Sequence, residues 1–145
     1  MAIHGGCDCG AVRYVLSRET LPGVICCHCH GCQTRSGSAF DQTAFIGPDE
    51  IVLTGEVVNL YRTMRSGNKS TLHVCASCHT LIYNTNSASP ARIFLRAGTL
   101  DDSRAVVPVV HMFTAEKQAW LELRVEVPAY AGFPPAEEFA RILAG

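Results

Sequence analysis

The chain has 145 residues, 48% of them hydrophobic and 17% charged, with 12 Lys+Arg against 13 Asp+Glu for a net charge of −1. This composition excludes a disordered or low-complexity protein, and the balanced charge argues against nucleic acid as a main partner. No run approaches the roughly 20 apolar residues of a membrane-spanning helix, and the opening Met1-Ala2-Ile3-His4-Gly5-Gly6-Cys7 has no basic or apolar region of a signal peptide, so a single cytoplasmic domain, 1–145, is expected.

In chain order, Val12, Tyr14 and Leu16 alternate with Arg13 and Ser17 and read as a strand. Short strands are expected at 43–46, 57–64, 71–74, 93–97 and 106–113, with Pro108 marking an edge or a bulge in the last. Turn signals at Gly47-Pro48-Asp49, Ser66-Gly67-Asn68 and Gly98-Thr99-Leu100-Asp101-Asp102 separate them. Ala119, Leu121, Leu123, Val125 and Val127 alternate with polar residues and Trp120, and predict a half-buried strand. Helical signal is scarce. A short helix is expected over 33–36, and another after Pro134-Pro135 with Phe139, Ile142 and Leu143 on one face. The fold class is mainly β, of antiparallel sheets with one or two short helices. Its modest core is supplemented by metal cross-links.

Eight cysteines carry the chemistry: Cys7, Cys9, Cys26, Cys27, Cys29, Cys32, Cys75 and Cys78. In a reducing compartment such clusters point to metal or thiol chemistry rather than disulfides. Cys7-Asp8-Cys9 and Cys27-His28-Cys29 are C-x-C arms, and Cys29-His30-Gly31-Cys32 and Cys75-Ala76-Ser77-Cys78 are C-x-x-C arms. Ligands two or three residues apart can close on one ion. Cys7, Cys9, Cys75 and Cys78 make a closed structural zinc site. Cys27, Cys29 and Cys32 leave one position open, the pattern of a catalytic zinc. Two zinc ions per chain are expected. His28, His30 or a distant histidine could instead close the trio, and an iron–sulfur cluster would lack a fourth cysteine at ferredoxin spacing. Cys26 points to the opposite side of an extended backbone from Cys27.

The strings Gly6-Cys7-Asp8-Cys9-Gly10-Ala11-Val12-Arg13-Tyr14, Cys27-His28-Cys29-His30-Gly31-Cys32-Gln33-Thr34-Arg35-Ser36-Gly37-Ser38-Ala39-Phe40 and Cys75-Ala76-Ser77-Cys78 followed by Leu81 resemble the three motifs of the glutathione-dependent formaldehyde-activating enzyme family, which includes centromere protein V. Arg96-Ala97-Gly98-Thr99-Leu100-Asp101-Asp102, Pro108, His111 and Trp120 resemble its C-terminal stretch, so the likeness runs from about Gly6 to about Pro134. The resemblance implies a β-tent of antiparallel sheets clipped by zinc. It also implies the same division into structural and catalytic zinc sites, with Cys27, Cys29 and Cys32 as the catalytic residues. The implied activity is of the carbon–sulfur lyase type, joining glutathione and formaldehyde into S-hydroxymethylglutathione, with a small-molecule thiol as partner and neither nucleic acid nor membrane. Two departures stand out. His79 replaces a glycine that would permit positive φ, and Gln33 stands where the motif often has arginine.

Weaker candidates surround the trio. Ser36 and Gly37 could offer polar groups near the open position, and Arg13, Arg35 and Arg96 could pair with glutathione carboxylates. His28 and His30 could move protons. His111 reads as a core or rim histidine, Trp120 as packing, Asp101-Asp102 as turn chemistry, with Asp102 a possible partner for an arginine. A non-catalytic zinc module is the alternative function, and a thiol sensor that oxidises Cys26 beside Cys27 is another.

Overall fold

The computed structural model describes residues 2–144; Met1 and Gly145, the two ends of the expected domain, lie outside the described residues. Among the described residues, ten strands run in the order β1 (Ile3–Gly6), β2 (Arg13–Leu16), β3 (Val24–Cys27), β4 (Asp41–Ile46), β5 (Ile51–Thr54), β6 (Val57–Thr63), β7 (Lys69–Cys75), β8 (Leu81–Asn86), β9 (Ile93–Arg96) and β10 (Pro108–Met112). Helix α1 (His30–Ser36) follows β3, and α2 (Ala136–Ala144) closes the chain. The chain divides into two units, Met1–Pro22 with Ala44–Val106, and Gly23–Thr43 with Val107–Gly145.

In the first unit, β1, β2 and β5 form an antiparallel sheet with β2 in the middle. Alternation along β2 buries Tyr14 and Leu16 and exposes Arg13 and Val15. Gly5 lies opposite Tyr14, and its missing side chain leaves room for the Tyr14 ring, whose hydroxyl meets Thr99 Oγ1 at 2.8 Å. Strands β9, β8, β7 and β6 pair in that order, all antiparallel. The Ser66-Gly67-Asn68 signal is the β6–β7 hairpin, with Gly67 at φ 88°. Ile82 and Leu95 are fully buried in this unit.

In the second unit, β10 pairs with β3 in parallel, and the register shifts between Pro108 and Val110. The expected Pro108 bulge is therefore present, but the pairing departs from an all-antiparallel arrangement. Parallel strands in a core read as continuous apolar runs. Val24, Ile25 and Cys26 are all buried, which leaves β3 without an alternating pattern. Helix α1 begins three residues before the expected 33–36, because Cys29 caps it: its Sγ accepts from Cys32 N at 3.3 Å. α2 forms where Pro134-Pro135 predicts a helix.

The strand expected over 119–127 is absent. Its residues find no partner strand, and turns at Gln118–Leu121 and Arg124–Val127 break the run. Trp120 is 71% exposed and Val125 is 99% exposed. The expectation of Trp120 as packing is corrected accordingly: its indole N–H donates to Gln118 Oε1 at 2.6 Å.

Candidate metal centres

The structure brings Cys7, Cys9, Cys75 and Cys78 together, with all four Sγ atoms within 4.8 Å of one another. A tetrahedral ion with zinc–sulfur bonds of about 2.3 Å places thiolates about 3.8 Å apart. Cys7 and Cys9 Sγ are 3.6 Å apart, and Cys9 and Cys75 Sγ 3.8 Å. These separations fit one shared ion and are far longer than a disulfide bond of about 2.05 Å; all eight cysteines are free thiols.

Local backbone turns build each arm. After β1 the chain reverses at Gly10, φ 82°, so that Cys7 N donates to Val12 O and Val12 N donates to Cys7 Sγ at 3.2 Å. At the end of β7, Cys75 N donates to Thr80 O, His79 N to Cys75 O, and Cys78 N to Cys75 Sγ at 3.5 Å. The Thr80 hydroxyl lies 3.1 Å from Cys78 Sγ and, together with the backbone amides of Cys9 and Thr80, lowers that thiol to about 5. Amide and hydroxyl hydrogens aimed at sulfur favour thiolates, the form that binds metal.

Gly55 joins the two arms. An added Cβ there would collide with the Ala11 carbonyl oxygen and come within 2.9 Å of Val12 Cα. Its neighbour Glu56 accepts from Ala76 N at 3.1 Å through its carbonyl. One corner between β5 and β6 thus touches the backbone behind Cys9 and the backbone behind Cys75.

His79 adopts φ 65°, so the residue in place of the usual glycine does take the left-handed conformation. That conformation costs a non-glycine residue about 1–2 kcal/mol, partly offset by the freedom glycine loses on folding. His79→Gly is therefore expected to stabilise the chain by about 0.5–1 kcal/mol, read as a higher urea midpoint. A lower midpoint would mean that the exposed imidazole makes a stabilising contact.

Cys27, Cys29 and Cys32 form the second cluster, again with Sγ atoms within 4.8 Å of one another. No histidine nitrogen or carboxylate joins them at that distance among the described residues, so the trio is a three-ligand set. Cys27 ends β3, Cys29 caps α1, and Cys32 lies one turn into it. A hydrogen bond with Cys32 lowers the Cys27 thiol and raises that of Cys32. The Arg35 guanidinium sits one turn further on, with Nη2 3.5 Å from Cys32 Sγ. Arg35 is thus placed at the thiols. Arg13 is engaged by both oxygens of Asp101, rather than by Asp102, and Arg96 lies on β9.

A segment after β10 secures this helix. Phe113 takes φ 55° and turns the chain so that Glu116 reaches α1. Glu116 Oε1 accepts from His30 N at 3.1 Å. Gln33 Nε2 donates to His28 O at 2.8 Å and to Glu116 O at 2.9 Å, while Gln33 Oε1 accepts from Gln118 Nε2 at 3.2 Å. Gln33 is a clip whose polar atoms are all engaged. Nothing in local spacing predicts Glu116 and Gln118 as partners, which lie more than 80 residues along the chain. Beside this clip a cavity of about 370 Å³ opens, lined by His30, Gln33, Thr34, Gly37, Ser38 and Gln118 among others. Ser36 and Gly37 close the far end of α1: Gly37, φ 66°, donates to Gln33 O, and Ser36 Oγ meets Phe40 O at 3.4 Å.

Cys26 is fully buried, and desolvation pushes its thiol up to about 12. A thiol in that state is inert, which removes the basis for a sensor built on Cys26 beside Cys27. Among the described residues, no helix is long and apolar enough to cross a membrane.

The family model described as glutathione-dependent formaldehyde-activating enzyme matches residues 2–116. A protein of Halomonas elongata, named provisionally for that enzyme, is 28% identical over 153 aligned positions, covering 98% of this chain and 97% of its own length. A crystal structure of a Rhodobacter sphaeroides protein superposes with a TM-score of 0.54 at 15% identity, over 88% of this chain and 99% of that one. The latter likeness concerns the fold alone.

Proposed function

Since the chain belongs to the glutathione-dependent formaldehyde-activating enzyme family, we propose that it makes or breaks the carbon–sulfur bond between a thiol and an aldehyde, with glutathione or a related thiol held at Cys27, Cys29 and Cys32. The observation that carries this reading is the convergence of three thiols with no fourth protein ligand beside them among the described residues. The remaining position is left for an exchangeable sulfur. Cys7, Cys9, Cys75 and Cys78 would hold a structural zinc, and Cys27, Cys29 and Cys32 a catalytic one, two ions per chain. The whole chain, 1–145, would act as one zinc-binding domain, since the family match draws on segments of both units.

The reaction is simple in its balance. The thiol sulfur bonds to the carbonyl carbon, the C=O π pair moves to oxygen, and the proton lost by sulfur ends on that oxygen. The reverse splits S-hydroxymethylglutathione into glutathione and formaldehyde. Zinc bound at the trio would keep a coordinated thiol deprotonated and nucleophilic at neutral pH. Cys27, Cys29 and Cys32 would hold that ion between the end of β3 and the first turn of α1. Arg35 supplies positive charge beside the sulfurs and a fork suited to a substrate carboxylate. The Gln33–Glu116 clip holds α1, and with it Cys29 and Cys32, in register.

The balanced charge supports a small-molecule partner over nucleic acid. Metal-binding thiols need a reducing compartment, which supports the cytoplasm. The test is Cys29→Ser. The variant is expected to keep its fold and the structural ion, lose the second ion, and neither bind glutathione nor consume formaldehyde in its presence. Unchanged glutathione affinity would refute the proposal.

A further inference from the structure

His28 stands between Cys27 and Cys29 in the sequence, and its side chain meets another histidine. It is fully buried, and its Nε2 meets Nδ1 of His111 at 2.9 Å; His111 itself is 5% exposed. The rings are tilted at 44° with centroids 5.0 Å apart, and Phe40 packs on His28 at 5.1 Å. The backbone of His28 is pinned as well. Its N–H donates to Met112 O at 2.9 Å, and its carbonyl accepts from Gln33 at 2.8 Å.

We propose that His28, held by His111, is the positioning residue of the three-thiol site. The inference rests on the thiol site proposed above and adds to it the side chain that sets its spacing. In an extended segment alternate residues face opposite ways. Fixing His28 on one side therefore fixes how far Cys27 and Cys29 spread on the other. Three separate bonds, to the amide, the carbonyl and the imidazole, leave this residue no freedom to rotate.

Filling space does not explain the pair. Two imidazoles can share only one proton along the contact, and the second ring nitrogen of His28 is buried with no partner among the described residues. An unpaired buried polar atom is costly, and an apolar side chain of like volume would avoid that cost. What the imidazole adds is direction, because a hydrogen bond orients the ring as packing alone does not. Outer groups of this kind orient the ligands of metal sites, and losing one typically weakens metal binding about 10- to 100-fold.

The experiment uses the full chain, loaded with zinc and then with Co²⁺, in three forms: wild type, His111→Leu and His111→Asn. Leucine fills the site without a hydrogen bond. Asparagine places an amide where Nδ1 stands. His111→Leu is expected to retain the four-cysteine ion and to melt somewhat below wild type, because it leaves Nε2 of the buried His28 without its partner. It is also expected to bind the second ion about 10- to 100-fold more weakly against a chromophoric chelator, with shifted Co²⁺ absorption bands. His111→Asn is expected to restore both affinity and bands. Wild-type affinity and bands in His111→Leu overturn the inference. So does an equal loss in both variants, which is what a packing role predicts. A wild-type chain that takes up no second ion defeats the proposed function instead. The positioning role is then read from the thiols themselves. His111→Leu is expected to change the order in which iodoacetamide alkylates Cys27, Cys29 and Cys32, and an unchanged order overturns it.

Discussion

Cys75→Ser is expected to abolish folding of the first unit. Structural zinc supplies on the order of 10 kcal/mol of folding free energy, and a whole domain is stable by only about 5–15 kcal/mol. Cys75 is fully buried at the end of β7, and its sulfur also accepts the amide of Cys78. Serine there would lose the ion and bury a hydroxyl. The variant should appear as aggregated or protease-sensitive protein with at most one ion per chain. A strong chelator should produce the same state from wild type. Cys29→Ser is the control, because its site draws on one short segment that the Gln33–Glu116 clip holds independently of metal. Equal loss of fold in the two variants would contradict the division into structural and catalytic sites.

Gly55→Ala is expected to be strongly destabilising, although no cysteine is touched. Gly55 has φ 100°, and an added Cβ meets Ala11 and Val12 backbone, which cannot rotate away. Overpacking against fixed atoms costs about 1–3 kcal/mol and the left-handed conformation about 1–2 kcal/mol more, for a loss of about 3 kcal/mol or greater. The same corner reaches Ala76 through Glu56, so its displacement would also pull the two cysteine arms apart. Differential scanning calorimetry should show a lowered melting temperature, and Co²⁺ titration a weakened four-thiol site. A variant that melts lower while holding Co²⁺ as tightly as wild type would show that the corner supports the sheet and not the metal.

Much of the cysteine clustering was legible because ligand spacing is a local property. C-x-C and C-x-x-C arms can be recognised without knowing the fold, and both clusters assemble from the arms expected. The positive φ at His79 was legible from the family resemblance, whose third motif has glycine at that position. Strand β3 was not, because a strand buried throughout shows no period of two. The run over 119–127 failed in the opposite sense: its alternation is real, but alternation yields a strand only where a neighbouring strand offers hydrogen bonds. The supports of the second site were out of reach. Glu116, Gln118 and His111 act on His30, Gln33 and His28 across more than 80 residues of chain, a distance at which spacing carries no signal.

The two clusters also differ in when they can exist. Cys27, Cys29 and Cys32 fall within six consecutive residues, whereas Cys9 and Cys75 are 66 residues apart. Bringing distant residues together carries a loop-closure cost that adjacent residues barely feel. During synthesis, then, the trio is complete while most of the chain is unmade, but the quartet must wait until Cys78 has left the ribosome. The growing chain offers the trio to metal before the quartet can assemble. Where metal is scarce, the order of emergence favours the cluster made by one segment over the one that must wait for the fold.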